Sequence, residues 1–548
     1  MNFSPQSKIL GLNKLYIELV KLMSAIVSES EYSDILKEFE ASSDSSNESN
    51  FLGILFLLKA FMKLPFFIVE NTESFSMWSS EPQISSSRTK RKDIICHKPG
   101  PTIYSKINSG TKFNLFISML PDNAIFDITR FTNENLAKKN LKIEKITESD
   151  LLNFIGLCIV SGTYKTGMEN LDMLYDSELG IPIFQKTMPK YKFEIIAANI
   201  TFSSQSSRSE RYHSKKNDKL IYIRDFFEAF RQKAKLFYKP STNLTVDEQL
   251  VPFRGRVNFK QYIPMKPSKY GIKIFLLCDS FTYYVYNADI YLGKNYNNES
   301  NAKNIGENTV MRLMEGFDLP GLNITMDNFF TSISLAKRLL EKNITLVGTV
   351  RKNRKHIPKF NRMNLYDSEY FFSGNLTILN YQTKRNKNVI LLSTFHNFPS
   401  TENDNKKTPE IILYYNSTKG GVDTCDLMVR NYSVKRKTKR WPTTIFYNLI
   451  DIICLNCYVV YRELHPEDME KESSRAKFLI DLAKEIFLNA STLGNEKTKN
   501  KKKKTEKGRC VKCPRSKDNK LTRFCQNCQS FICKLHSENV IQCTDCKK

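Results

Sequence analysis

The chain has 548 residues, too many for a single hydrophobic core, because such cores stop growing beyond roughly 250–300 residues. Lys and Arg number 83 against 57 Asp and Glu, a formal charge of +26, and this excess points to a polyanionic partner: nucleic acid or an anionic membrane face. Hydrophobic residues make up 41% and aromatics 12%, which excludes a wholly disordered chain.

The first 75 residues read as a leader outside the folded domains. Residues 28–50 carry seven acidic residues and one lysine among eight serines, a disordered acidic stretch. The apolar run at 51–69 contains Lys59, Lys63 and Pro65. Central lysines cost about 2.5–3.5 kcal/mol each in a membrane helix, so no membrane span is expected. No secretory pattern opens the chain, and its 13 cysteines read as reduced thiols or metal ligands, not as a disulfide scaffold.

From Trp78 to about Lys239 the pattern is helical, with a helix opening on Ser149 or Asp150 as N-cap and another over 220–238. At Leu244 the period changes. Residues 244–247 predict a short strand ending at Asp247, and 271–277 and 283–292 two more around a turn at Asp279-Ser280. A strand at 322–326, a helix at 332–341 and a strand at 345–350 complete a mixed α/β unit. Residues 351–415 read as an inserted β subdomain, with β-like runs at 376–381, 389–393 and 411–415. Helices resume at 421–429, 443–464 and 475–488. Residues 497–509 hold eight Lys or Arg, a flexible linker and nuclear-import signal.

Three features carry chemistry. Cys510-x2-Cys513, Cys525-x2-Cys528, Cys533-x2-His536 and Cys543-x2-Cys546 give four ligand pairs in 37 residues. Structural zinc takes four such ligands tetrahedrally, so eight imply two ions, with pairs one and three interleaved with pairs two and four. Cys454 and Cys457 share the spacing but sit in an apolar helix and read as core. The second feature is a set of aspartates at element ends: Asp247, Asp327, and Asp423 with Asp426 three residues on. Carboxylates converging from strand ends and a helix can hold divalent cations, although Asp at a strand end is more often a turn former or helix cap. The third is basic surface. Residues 254–273 hold six Lys or Arg and no acid, interleaved with aromatics, and a basic run at 435–440 precedes Trp441. Positive charge beside carboxylates suits a polyphosphate substrate.

Several long motifs in order resemble the piggyBac transposases. They are Leu244-Thr245-Val246-Asp247-Glu248-Gln249-Leu250, Phe253-Arg254-Gly255-Arg256, Pro264-x2-Pro267-Ser268-Lys269-Tyr270-Gly271-Ile272-Lys273, and Ile324-Thr325-x-Asp327-Asn328-x-Phe330. Val347-Gly348-Thr349-Val350-Arg351, Lys419-Gly420-Gly421-Val422-Asp423 and Lys437-Thr438-x-Arg440-Trp441-Pro442 follow. The resemblance runs from about Trp78 to the tail and departs from the family before it.

It implies an RNase H-like catalytic core (241–350 and 416–432) interrupted by the β-rich insertion (351–415). A split helical dimerisation and DNA-binding domain (76–240 and 433–492), a basic linker (493–508) and a cross-brace zinc domain (509–548) would complete the chain. Asp247, Asp327 and Asp423 fall on the family's catalytic, Mg2+- or Mn2+-holding positions, and Asp426 on a further acidic one. Arg254, Arg256, Lys269, Lys273, Lys437, Arg440 and Trp441 are the expected DNA contacts. The resemblance implies cut-and-paste transposition at TTAA sites by a nuclear homodimer on double-stranded DNA. A related protein that keeps the fold and binds DNA without transposing is the alternative; the complete aspartate set and tail favour the enzyme. A ubiquitin-ligase-like reading of the tail explains neither the aspartates nor the basic surface.

Overall fold

The computed structural model describes residues 66–69, 76–82, 97–139, 143–214, 218–293, 304–317, 319–467, 474–505, 508–517, 520–521, 523 and 530–537. It falls into two compact units, one of residues 1–90, 331–340 and 345–414, the other of 91–330, 341–344 and 415–548.

The larger unit joins helices from both ends of the chain to a mixed sheet. The helix Glu148–Thr163 starts at Thr147, whose hydroxyl accepts from the Asp150 amide at 3.1 Å while Asp150 Oδ2 accepts from the Thr147 amide at 2.8 Å. The expected cap at Ser149 or Asp150 is therefore displaced: Asp150 is the third helical residue of a capping box, reaching back to the true cap. Ser149 instead donates to the Ala490 carbonyl, 2.7 Å away on the C-terminal helix Arg475–Thr505. Gly156 lies where a Cβ would stand 2.4 Å from the Phe487 ring, which explains the glycine in this helix contact. The C-terminal helix continues through part of the lysine run expected to be a linker, because Lys is a good helix former and nothing there breaks the backbone pattern.

The helix Trp441–Leu464 is, among the described residues, the one long and apolar enough to cross a membrane, but its apolar window is wholly buried inside the protein. Cys454 and Cys457 are buried within it, as core residues. Asn456 on the same helix accepts from the Val285 amide and donates to the Val285 carbonyl, both at 2.9 Å, satisfying a strand end with a side-chain amide.

In the sheet of this unit, the strand Asn323–Met326 runs parallel to Asn243–Pro252, which is antiparallel to Tyr270–Asp279. Val285–Ile290 and Lys260–Tyr262 share the far edge of Tyr270–Asp279. The turn after Tyr270–Asp279 is built by Asp279, whose Oδ1 accepts from the amides of Phe281 and Thr282 at 3.0 Å each. The strand expected to stop at Asp247 runs five residues further, placing Asp247 mid-strand. Its polar Glu248-Gln249 pair does not end it, because Gln249 is buried with its amide satisfied: it donates to Asp426 and accepts from Asn448.

The smaller unit is an antiparallel sheet in the order Phe66–Val69, Ser76–Ser79, Ser368–Ser373, Leu376–Lys384, Lys387–Ser393, Thr345–Thr349. Trp78 is fully buried there, and its indole donates to the His356 carbonyl at 3.0 Å. Phe66–Val69, the end of the apolar run, is a strand; residues 51–65 and the acidic stretch at 28–50 lie outside the described residues. The β-like run at 411–415 is instead part of the helix Glu410–Thr418. Ile411 and Thr418, both buried, are seven residues apart on one helical face, a period that five apolar residues alone cannot reveal.

Candidate functional site

Two threonines organise the acidic site. Thr245 and Thr325 are register partners on the parallel strands. Thr245 Oγ1 donates to the Thr418 carbonyl at 2.7 Å, and Thr325 Oγ1 lies 2.7 Å from Thr418 Oγ1. Thr418 immediately precedes the turn into the helix Gly421–Asn431, so the hydroxyls fix where that helix begins. Two residues past each threonine come Asp247, on the same face of its strand as Thr245, and Asp327, just beyond the end of the strand Asn323–Met326; Asp423 is the third residue of the helix. The Thr-x-Asp repeat was the sequence signal for this construction, and it went unused.

The local charge is crowded. Burial, the neighbouring Glu248 and, to a smaller extent, Asp327 push the Asp247 carboxyl up to about 8, against a hydrogen bond from the Glu248 amide at 2.7 Å. Burial also raises Asp327, opposed by the Phe329 amide at 2.9 Å and the charge of Lys273. Asp426 is raised by burial, although Gln249 donates to it at 3.0 Å and Arg430 pairs with it at 3.3 Å. Asp423 is the exposed member, 68% accessible, and its carboxylate lies 3.5 Å from Lys266 Nζ. Lys273 pairs with Glu248 at 3.7 Å, beside the stacked rings of Phe275 and Phe329, whose centres are 4.8 and 4.7 Å from its ammonium. Glu248 and Lys266 were not singled out from sequence; Lys266 was one charge in a basic run.

The donor set fits a hard divalent cation. It offers only carboxylate oxygens, and the like-charge crowding on Asp247 is what such an ion relieves. The side chains are not drawn together as tightly as in the tail. Among the described residues, one group of potential metal ligands has all its ligand atoms within 4.8 Å of one another, and it is Cys510, Cys513, Cys533 and His536. There Cys513 and Cys533 Sγ are 3.6 Å apart, and His536 Nδ1 is 3.6, 3.6 and 3.3 Å from the sulfurs of Cys510, Cys513 and Cys533. Tetrahedral zinc, with bonds of about 2.3 Å to sulfur and about 2.0–2.1 Å to nitrogen, requires edges of roughly 3.8 and 3.6 Å. These four residues, pairs one and three, fit zinc; Cys525, Cys528, Cys543 and Cys546 lie outside the described residues.

The basic residues divide. Arg254, Arg256, Lys269 and Lys437 are exposed. Arg440 is half-buried: its guanidinium donates to the Ala198 and Ile200 carbonyls at 3.1 and 2.6 Å, holding the end of the helix Lys190–Asn199. Arg436 is buried on the carbonyls of Thr166 and Glu169, and Lys435 is half-buried on Pro252, so part of the basic run is internal structure. Trp441 opens its helix half-buried, edge-on to Tyr222 and Phe259 at 6.2 and 5.3 Å between ring centres.

Comparison with known proteins agrees with this architecture. A family model described as Transposase IS4 matches residues 111–458, more than half of the chain. The human PiggyBac transposable element-derived protein 3 is 22% identical over 365 residues, covering 63% of this chain and 60% of the relative. The human PiggyBac transposable element-derived protein 2 is 20% identical over 371 residues, 64% of this chain and 61% of the relative. The chain thus spans about three fifths of these curated relatives. A cryo-EM structure of a piggyBac transposase synaptic complex with hairpin DNA superposes with a TM-score of 0.67 at 30% identity, covering 82% of this chain and all of that one. The chain belongs to the Transposase IS4 family, in its piggyBac branch.

Proposed function

We propose that the protein is a DNA transposase that cuts and joins DNA at TTAA sites, through a metal-assisted site on an RNase H-like core. The observation that carries this is the threonine-anchored arrangement: Asp247 on one of two parallel strands, Asp327 just past the end of the other, and Thr418, three residues before the Asp423 helix, bonded to the threonines of both strands. Asp247, Asp327 and Asp423 would hold Mg2+ or Mn2+, and Asp426 would support Asp423 from one helical turn away. When bound, such an ion lowers the pKa of a water nucleophile and offsets charge on the scissile phosphate.

The remaining work falls to this chain. Lys273, beside the stacked rings of Phe275 and Phe329 and paired with Glu248, places a cation next to the carboxylate cluster. Exposed Arg254, Arg256, Lys269 and Lys437 would neutralise phosphates, and Trp441 would pack near the cut. Water attack nicks the strand; the released 3′-hydroxyl then attacks the opposite strand, expelling the flanking DNA and closing a hairpin, and a second water would open that hairpin and return the 3′-hydroxyl that attacks target DNA. No covalent enzyme intermediate is required, so no Ser, Cys or Tyr nucleophile is assigned. The zinc tail would read element ends, and the protein would act as a homodimer in the nucleus.

A second reading, a DNA-binding protein without transposition, draws on the names of the human relatives, which call them transposable element-derived proteins. A strand-transfer assay distinguishes the two. Purified protein, element-end duplex and a target plasmid are incubated with Mg2+, and the junctions are sequenced. Junctions at TTAA support the transposase; DNA retention with no junctions supports the binder.

A further inference from the structure

Lys266 occupies a specific position beside the acidic site. It sits in the loop between the strands Lys260–Tyr262 and Tyr270–Asp279, flanked one residue away by Pro267 and two away by Pro264. The loop is closed by the Ile263 amide donating to the Lys269 carbonyl at 2.9 Å and the Lys266 amide to the Ile263 carbonyl at 3.3 Å. Lys266 Nζ donates to the Glu248 carbonyl at 3.0 Å, on the strand between Asp247 and Gln249, and lies 3.5 Å from Asp423 Oδ1 on the helix. One ammonium thus ties two of the three elements that carry the acidic residues: the Asp247 strand and the Asp423 helix. Its charge also bears on Asp247 and Asp426, so three of the four aspartates sense it. The side chain is 20% accessible and its partner Asp423 is 68% accessible, so the strand side of the bridge is the fixed one and the Asp423 side can let go.

We propose that Lys266 is a resident counter-cation of the acidic site: it holds Asp423 in the ion-free protein, competes with a divalent cation for that carboxylate, and on release turns its ammonium to a phosphate oxygen of bound DNA. This deepens the proposed function and rests on it. The competition follows from charge alone, because an ammonium and a dication held on one carboxylate repel each other. Lys266 is a positioning residue for the aspartates before it touches DNA.

The test uses the full zinc-loaded chain and Mn2+ alone as probe, with free Mn2+ followed by electron paramagnetic resonance. Lys266→Met should bind Mn2+ about three- to tenfold more tightly than wild type, and Lys266→Arg should stay near wild type. At saturating Mn2+, Lys266→Met should nick an end duplex about tenfold more slowly despite its fuller metal site. A residue that merely supported the loop would weaken Mn2+ binding when removed. In a double-mutant cycle, Asp423→Asn should abolish the gain from Lys266→Met. Unchanged or weaker Mn2+ binding by Lys266→Met with an unaltered melting temperature overturns the proposal, as does a gain that survives Asp423→Asn. If Asp247→Asn leaves Mn2+ binding untouched in the wild-type background, the acidic-site reading itself fails, and Lys266 with it.

Discussion

Replacing Gly421 with alanine tests the way the site is built. An added Cβ would lie 2.5 Å from Thr245 Oγ1, 3.0 Å from Thr245 Cβ and 3.2 Å from the Asp279 carbonyl oxygen. None of these can give way cheaply. Thr245 is buried and its hydroxyl is engaged with the Thr418 carbonyl and Ser280 Oγ, at 2.7 and 2.9 Å, while Asp279 is buried in its turn. The helix must therefore retreat by about 1 Å to reach ordinary contact, carrying Asp423 with it. Overpacking of this kind costs about 1–3 kcal/mol of stability, and a misplacement of about 1 Å costs on the order of 100-fold in rate. Gly420→Ala is the control, because a Cβ there meets only Thr424 Oγ1 at 3.9 Å. Thermal melting and Mg2+-dependent nicking of a labelled end duplex should separate the two variants, with DNA binding preserved in both. Wild-type nicking by Gly421→Ala, or equal damage from Gly420→Ala, would refute the anchoring argument.

Other consequences are as direct. Cys533→Ser should lower the zinc content of the full protein by one ion, measured by atomic emission after dialysis, and no change would remove that residue from the cluster. Within one basic run, Arg436→Ala should lower stability by about 3 kcal/mol by leaving the Thr166 and Glu169 carbonyls unpaired. Exposed Lys437→Ala should leave melting unchanged but lower the salt dependence of DNA binding by about one ion. Asp451 is fully buried, and burial pushes its carboxyl from 3.8 up to about 7, against hydrogen bonds from Ser433 and the Val434 amide. Its folded pKa lies above the unfolded one, so its contribution to stability is present below about pH 4 and is lost as pH rises through 7. Asp451→Asn should therefore gain on wild type between pH 5 and 8, by at most roughly 4 kcal/mol, in paired denaturation curves; a pH-independent gap would contradict this.

Much of the architecture was legible because its signals are local. The turn at Asp279-Ser280, the buried Trp441–Leu464 helix and the Cys-x2-Cys spacing each follow from neighbours in sequence. The misreadings share a different cause. Asp247 looked like a strand end because Glu248-Gln249 is polar, but Gln249 is satisfied by Asp426 and Asn448, more than 170 residues away. Lys435, Arg436 and Arg440 looked like solvated charge, yet their partners are carbonyls of distant segments. Lys266 was invisible as an individual because its meaning lies in two contacts, one with the Asp247 strand and one with the Asp423 helix. Long-range satisfaction of polar groups leaves no periodicity to read.

The central claim is that the aspartates perform metal-dependent chemistry on DNA that the rest of the surface binds. Asp327→Asn keeps the side-chain size and removes the charge, so it isolates that claim. Nicking of a labelled element-end duplex with Mg2+ or Mn2+ is measured beside binding of the same DNA. The account predicts that wild type binds and nicks, while Asp327→Asn binds equally well and does not nick. Undiminished nicking by Asp327→Asn, or a wild-type protein that binds and never nicks under any divalent cation, would contradict it.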